Sequence, residues 1–219
     1  MYLIANIIVC VCSLAGFIYG GIKFFRPRKA LYAQMITLSL GCVAFGRLFN
    51  IVRILTGGSL TDNVQLGFLG MIGSLMFFFS ANYGTIDSLL DDRSKAFAKY
   101  RLISFAAPVV AVVLYVVLFL LSDISLMWKI QGAVLTVFVI PASYFNLKHL
   151  IFPDVDFGVV KCLRPYNLLA LIYTLMIFAE CFAMSRDYEL MTLICCCVTG
   201  LITAAIMPLI VRGLEKWRT

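Results

Sequence analysis

Three charged side chains lie inside strongly apolar segments of this sequence: Arg47, Arg53 and Glu180. A charge at the centre of a membrane-spanning helix costs about 2.5–3.5 kcal/mol on insertion scales, so such residues are rare unless they are paired or face a cavity. At about 1.5 Å per helical residue, Arg47 and Glu180 lie about 12 Å and about 6 Å from the ends of their segments. A long arginine side chain bridges that difference. We therefore expect Arg47 and Glu180 to lie within salt-bridge or water-bridge reach.

Asn50 lies three residues after Arg47, which places both side chains on one face of a helix. With Arg53 and Glu180 they form a candidate polar binding site in the outer half of the membrane. A second interpretation is that the Arg47–Glu180 pair only locks two helices together. In that case Arg53 extends its charged end to the membrane surface.

A second group of polar residues falls in the inner half, at spacings of i, i+3, i+4 and i+7 that predict one helical face. These residues are Ser80, Tyr83, Gly84 and Asp87. Asn82 is close by, at a different angle around the helix. The alternative is that Asp87 only marks the membrane surface, near the charged residues 91–93.

The elements that must position these residues are transmembrane helices. The chain is 63% hydrophobic and 13% charged, whereas a soluble domain is about 45–50% apolar and about 25% charged. A spanning helix needs about 20 mostly apolar residues. Seven segments qualify: 2–24, 31–55, 64–89, 102–122, 126–149, 160–184 and 189–211. We therefore predict an all-α polytopic membrane protein in which residues 1–219 form a single seven-helix transmembrane domain.

Basic residues are concentrated in alternate loops, which predicts the orientation because Lys and Arg stay on the cytoplasmic side. Fourteen of the 18 lie on one predicted side: Lys23, Arg26, Arg28, Lys29, Arg93, Lys95, Lys99, Arg101, Lys148, Lys161, Arg164, Arg212, Lys216 and Arg218. The N-terminus is therefore expected outside and the C-terminus in the cytoplasm. Since the net charge of +7 is explained by topology, the lipid bilayer is the expected partner and nucleic acid is not.

Cofactor chemistry finds little support in the sequence. The single histidine, His149, excludes bis-histidine haem and polyhistidine zinc sites. Segment 189–211 has no lysine for a retinal Schiff base, and no CxxC pair occurs among the eight cysteines. We expect no cofactor, no metal and no enzyme. An intramembrane acid–base enzyme that uses Glu180 or Asp87 is the less favoured alternative.

Short motifs recur in the two halves of the chain. A Tyr-x-x-aliphatic-Lys pattern ends the first predicted helix at 19–23 and the fifth at 144–148. A Phe-x-charge-x-Phe-x-x-x-Arg pattern lies in the second helix at 45–53 and in the sixth at 178–186. The matches keep their order along the chain and suggest an internal duplication.

Duplication predicts two three-helix repeats, 2–89 and 126–211, joined by the linker helix 102–122. The linker is uncharged and free of glycine, as a peripheral lipid-facing helix should be. This 3+1+3 layout, with parallel repeats about an axis along the membrane normal, is similar to that of the SWEET sugar transporters. The resemblance is one of architecture only, because the chain has no PQ dipeptide. No residue roles are transferred.

Two functions fit these features. The first is a transporter of a small polar solute, with a site between the helix repeats. The second is a seven-helix receptor or sensor that signals through its basic cytoplasmic loops, with an oligomer or a signalling partner possible on that side. The duplication and the polar residues in both halves of the membrane favour transport.

The predicted orientation is tested by cysteine labelling or reporter fusions. Residues 26–29, 93–101 and 212–219 should be reached only from the cytoplasm, because their basic residues resist translocation. Labelling of residues 56–63 from the cytoplasmic side instead would overturn the whole topology.

Overall fold

The computed structural model describes residues 1–26, 30–60, 66–87, 91–153 and 159–218. At positions 66, 159, 160, 217 and 218 it describes the backbone alone. Arg28 and Lys29 of the first basic loop lie outside the described residues. In this part of the chain every regular element is helical.

Seven helices are long and apolar enough to cross a membrane. They are α1 (Tyr2–Phe24), α2 (Leu31–Leu55), α3 (Leu66–Ala81, continued by a π-helical segment, Asn82–Asp87), α4 (Lys95–Leu120), α5 (Leu126–Ile151), α6 (Val159–Ser185) and α7 (Glu189–Arg218). The prediction of a multi-pass membrane protein with seven helices is therefore confirmed.

Two helix ends differ clearly from the predicted ones. Helix α4 begins at Lys95 and not near 102, and α7 continues to Arg218 and not to 211. Both extensions carry basic side chains, whose charged ends reach polar surroundings while the backbone stays helical. Hydropathy indicates which residues lie in the hydrocarbon, but a helix can continue beyond those residues.

Proline explains the interruption inside α4. The helix breaks at Phe105, between Ala98–Ser104 and Ala106–Tyr115. Pro108 has no N–H to donate to the carbonyl of Ser104, and its ring clashes with that carbonyl. Pro141 and Pro208, by contrast, lie inside the continuous helices α5 and α7.

Six of the helices close a ring in the order α1–α2–α3–α5–α6–α7 and back to α1, as far as the described residues show. Helix α4 packs outside this ring, mainly against α5. Much of its surface is exposed apolar side chain, for example Val109, Val113 and Val117. A peripheral position of this kind is what the uncharged sequence of residues 102–122 predicts.

The two ends of the bundle differ in charge. One end carries Lys23, Arg101 and Lys148, and we call it the basic face; the other end is the opposite face. That the basic face lies in the cytoplasm stays a prediction.

Glycines allow the ring helices to approach closely, as their small-residue spacing predicts. A Cβ atom at Gly46 would lie 2.7 Å from the carbonyl oxygen of Gly67, and one at Gly70 would lie 2.5 Å from that of Cys42. Both contacts join α2 to α3. On α1, a Cβ atom at Gly20 would lie 2.3 Å from Oγ1 of Thr37. The two α2–α3 distances are to backbone atoms and are too short for any residue but glycine without movement of a helix, whereas at Gly20 the Thr37 side chain would have to move.

Substituting alanine tests this packing. Gly46→Ala should lower the free energy of unfolding in detergent by about 1–3 kcal/mol, because the added methyl group forces α2 and α3 apart. Gly21→Ala is the matched control on a helix surface, since nothing lies within 4 Å of its Cβ position. That change should be neutral or stabilising by up to about 1 kcal/mol. Equal effects of the two substitutions would contradict close α2–α3 contact.

Candidate functional site

An ion pair between Arg47 on α2 and Glu180 on α6 crosses the axis of the helix ring. Nη1 of Arg47 donates to Oε1 of Glu180, and Nη2 donates to Oε2 at 2.6 Å. The side chains are only 2% and 0% exposed. Two parallel charge-assisted hydrogen bonds are the strongest geometry available to this pair. The predicted approach of Arg47 and Glu180 is therefore confirmed.

Two asparagines complete the hydrogen bonding around the arginine. Oδ1 of Asn6 accepts from Nη1 of Arg47 at 3.4 Å and from Nδ2 of Asn50 at 3.1 Å. Nδ2 of Asn6 in turn donates to the backbone carbonyl of Tyr2 at 2.9 Å. Asn50 is thus part of the group, as predicted. Asn6 was missed by the sequence argument, although a lone asparagine in an apolar first segment could have pointed to it.

The other predicted member, Arg53, lies elsewhere. It is half-buried near the opposite face, where its backbone carbonyl accepts from the N–H of Gly58 at 2.9 Å. It is six residues after Arg47, or about 9 Å along the helix. Among the described residues, the hydrogen bonds of the Arg47–Glu180 pair do not include it.

An apolar cluster lies beyond the ion pair, toward the opposite face. It is formed by Leu60, Trp128 and Met184, with Tyr2 and Ile54 packed against it. Met184 is one helical turn beyond Glu180 on α6. This cluster keeps the ion pair away from water on that side.

Neutral polar side chains continue the site toward the middle of the bundle. Oγ of Ser39 donates to the backbone carbonyl of Ser74 at 3.1 Å. Oγ of Ser74 and the hydroxyl of Tyr173 share a hydrogen bond of 2.8 Å. All three side chains are buried, and they link α2, α3 and α6.

Buried aromatic rings form the next layer. Phe78 meets Tyr173 and Tyr166 edge-on, with centroids 5.4 Å and 6.0 Å apart, and Tyr166 meets Tyr32 in the same way at 5.6 Å. The hydroxyl of Tyr166 has no hydrogen-bond partner among the described residues. A polar atom buried without a partner is rare and calls for a physical reason.

Near the basic face, a buried lysine joins two carboxylates. Nζ of Lys148 lies 2.5 Å from Oδ1 of Asp87 and 2.7 Å from Oδ2 of Asp91. Nη1 of Arg101 lies 2.6 Å from Oδ1 of Asp91. Burial by itself raises the pKa of Asp91, but the hydrogen bonds from Lys148 and from the N–H of Arg93 outweigh burial and hold that pKa below its ordinary value of 3.8.

A hydrogen-bonded chain of one histidine, two asparagines and one tyrosine touches this ionic cluster. Nδ1 of His149 lies 3.2 Å from Oδ1 of Asn82, and Nε2 lies 3.3 Å from Oδ1 of Asp87. Nδ2 of Asn82 donates to Oδ1 of Asn146 at 2.7 Å, and the hydroxyl of Tyr32 donates to Oδ1 of Asn82 at 3.4 Å. The chain thus connects α2, α3 and α5 at one level.

The predicted face of Ser80, Tyr83, Gly84 and Asp87 forms only in part: Tyr83, Gly84 and Asp87 border one cleft on the basic face, and Ser80 is not among the residues that line it. From Asn82 onward the backbone is π-helical, and a π-helix repeats at i+5 and not at the α-helical spacing that the prediction assumed. Tyr83 and Gly84 are exposed and Ser80 is half-buried, whereas Asn82 is fully buried. Asn82 and Asp87, five residues apart, are the pair that meets His149.

Lys148, His149 and Asn146 were missed as site residues. The sequence argument took Lys148 only as a charge that marks topology, and it used His149 only to exclude haem and zinc sites. Asn146 and His149 are three residues apart, so they share a helical face, and that spacing was the available signal. Hydropathy alone does not distinguish a charge that reaches water from one that is paired inside the protein.

These features define the class of the molecule: an integral, multi-pass membrane protein whose helix ring encloses polar and charged side chains. The described residues hold no group of three or more side chains suited to a metal ion. No protein-family model, curated protein or solved structure matches the chain. The function must therefore be argued from the geometry of the site.

A charge-reversal cycle tests the ion pair. Arg47→Glu or Glu180→Arg should each lower the free energy of unfolding by about 3–5 kcal/mol, because each places like charges together without water. Reversing both should recover much of that loss. The measurement is a double-mutant cycle on unfolding in detergent, and additive effects would show that the residues are not coupled.

The control for this cycle is the pair Lys23–Glu215, which joins α1 to α7 at 2.9 Å. Both side chains are exposed, Lys23 by 38% and Glu215 by 65%. Glu215→Gln should therefore leave the unfolding transition nearly unchanged. If Glu215→Gln lowered the free energy of unfolding as much as the Arg47 variants do, burial would not determine the cost of breaking an ion pair.

Proposed function

We propose that this protein transports a small, uncharged polar solute across the membrane, along the axis of its helix ring. The observation that carries the proposal is the column of buried polar side chains from the Arg47–Glu180 pair to the Lys148 cluster. Each polar group buried away from water costs free energy that an apolar side chain would avoid. A bundle that only had to fold would not need such a column.

The two ionic groups act as gates in this proposal. Arg47–Glu180 and the apolar cluster around Trp128 close the opposite face. Lys148 with Asp87 and Asp91 closes the basic face. Separating one gate while the other stays paired would open one side at a time, and the described state, with both gates paired, corresponds to an occluded one.

The chemistry between the gates supports an uncharged solute. That stretch contains buried hydroxyl groups and aromatic rings: Ser39, Ser74, Tyr173, Tyr32 and Tyr166. An ion held there would lose its water without gaining an opposite charge, which is costly. A solute with hydroxyl or amide groups would replace its water with hydrogen bonds.

An internal duplication is part of the proposal. The ring order allows α1, α2 and α3 to correspond to α5, α6 and α7 by a rotation about the membrane normal. Lys23 and Lys148, which end the two matching motifs, each pair with an acidic residue at the basic-face end of the third helix of the other unit, Glu215 and Asp87. Arg47 and Glu180 then face each other across the rotation axis. Equivalent units with this relation favour rocking motions that open the two faces in turn.

Uptake into proteoliposomes tests the function. A panel of sugars, polyols and neutral amides should contain a transported solute, and organic acids and amines of similar size should not be taken up. Tyr173→Phe keeps the ring but removes the hydroxyl from the column, and should slow uptake about 10-fold, the equivalent of one hydrogen bond.

The matched control is Tyr188→Phe, because the Tyr188 side chain is exposed on the bundle surface, between α6 and α7. It should transport like the unchanged protein. Transport of charged solutes only would contradict the proposed chemistry of the column. Saturable binding of a solute with no uptake would contradict transport and favour the sensor alternative.

A further inference from the structure

His149, the one histidine of the protein, is buried at the basic-face end of α5. Its ring is 1% exposed, and the residue belongs to the last turn of α5. The charged groups near it are Asp87 and Asp91 from neighbouring elements and Lys148 from α5 itself. Tyr32 shares with it the acceptor Oδ1 of Asn82, and Arg101 pairs with Asp91.

A count of donors and acceptors shows where the protons on this ring must be. Oδ1 of Asn82 can only accept, and it faces Nδ1 of His149 at 3.2 Å while Nδ2 of Asn82 donates to Asn146. With the Asn82 amide oriented in this way, Nδ1 of His149 carries a hydrogen. The other nitrogen, Nε2, faces Oδ1 of Asp87 at 3.3 Å. With a neutral ring and an ionised carboxylate, two lone pairs would point at each other across this contact.

One additional proton resolves that conflict. We infer that Asp87 and His149 form a proton-binding site, which holds a proton between Nε2 of His149 and Oδ1 of Asp87. The proton comes from water and returns to water, and no other bond forms or breaks. The negative end of the α5 helix dipole lies at His149 and favours positive charge there.

The backbone of α3 near Asp87 and the partial exposure of Asp87 both suit a proton-binding site. The π-helical segment Asn82–Asp87 turns Asn82 and Asp87 toward the same ring, and such segments occur frequently at functional sites. Asp87 keeps 19% of its side-chain surface exposed and borders a cleft on the basic face together with Gly84 and Asp91. Water therefore reaches the carboxylate from one side, while the histidine is enclosed on the other.

Proton occupancy would act on the basic-face gate. Oδ1 of Asp87 also accepts from Nζ of Lys148 at 2.5 Å, and this bond joins α3 to α5. A proton shared with Asp87 reduces its negative charge and weakens the attraction to Lys148, which keeps Asp91 as a partner. Binding a proton thus loosens the gate, so the site couples solute movement to protons. This coupling rests on the proposed transport function, whereas the proton site itself does not.

The presence of one histidine makes the site directly observable. The full-length protein, labelled with ¹³C,¹⁵N-histidine in nanodiscs, gives NMR signals from a single imidazole, titrated over roughly pH 5 to 9. We expect protonation of both ring nitrogens, lost in one step as the pH rises. Asp87→Asn should move the midpoint down by about 1–3 pH units, because the acceptor charge is lost. Asp92→Asn, an exposed neighbour, should leave the midpoint in place.

The titration of the unchanged protein decides the inference even if a variant does not fold. A ring that stays neutral over the whole range, with its only proton on Nε2, would overturn it. That result would mean that the amides of Asn82 and Asn146 are turned over, so that a neutral ring donates to the Asp87 carboxylate.

A second measurement separates the site from the transport proposal. Uptake into proteoliposomes should respond to an imposed pH gradient, and His149→Gln should abolish the response while exchange without a gradient persists. Uptake that ignores the gradient would overturn coupling and leave transport standing. A histidine that titrates as expected in a protein without uptake would overturn transport and leave the proton site standing.

Discussion

The buried pairing of Arg47 with Glu180 is the constraint on which the rest of the structure depends. Each charge alone would be costly inside a membrane, so α2 and α6 must lie opposite each other and at matched depth. Once they do, Arg47 needs further acceptors, and Asn6 on α1 supplies one. Gly67 leaves room for Asn50, since a Cβ atom there would lie 2.0 Å from its Oδ1. One ion pair thereby fixes the relative positions of four helices.

The two charged layers differ in their access to water. The layer near the opposite face is covered by Leu60, Trp128 and Met184, and it contains one pair with matched charges. The layer near the basic face mixes Lys148 and two carboxylates with a histidine and two asparagines, beside an open cleft. The first layer is suited to hold helices together, and the second is suited to exchange protons. The hydroxyl groups between the two layers are neutral, so no further charge is buried there without water.

Sequence reasoning succeeded where a single local rule decided the outcome. The thickness of the hydrocarbon core sets the length of a spanning segment. The seven segments of that length are seven helices in the structure, and α2 begins and ends where predicted. The expected pairing of Arg47 with Glu180 followed only from the free-energy cost of a charge in lipid and from the depth of the two residues in the membrane. Sequence reasoning did not identify Asn82 as the residue at the centre of its group, because the α-helical spacing assumed there gives way to a π-helix. The end of α7 was also misplaced, since hydropathy does not report helicity outside hydrocarbon.

The sequence by itself determined that this chain crosses a membrane seven times and that its buried charges require partners, because both follow from the free energy of placing side chains in lipid. Only the tertiary structure decided which polar groups meet. Lys148 and Lys23 occupy the same place in matching motifs, yet one is buried between two carboxylates and the other is exposed. Their environments depend on neighbouring helices that are distant in the chain, and no local pattern records those contacts.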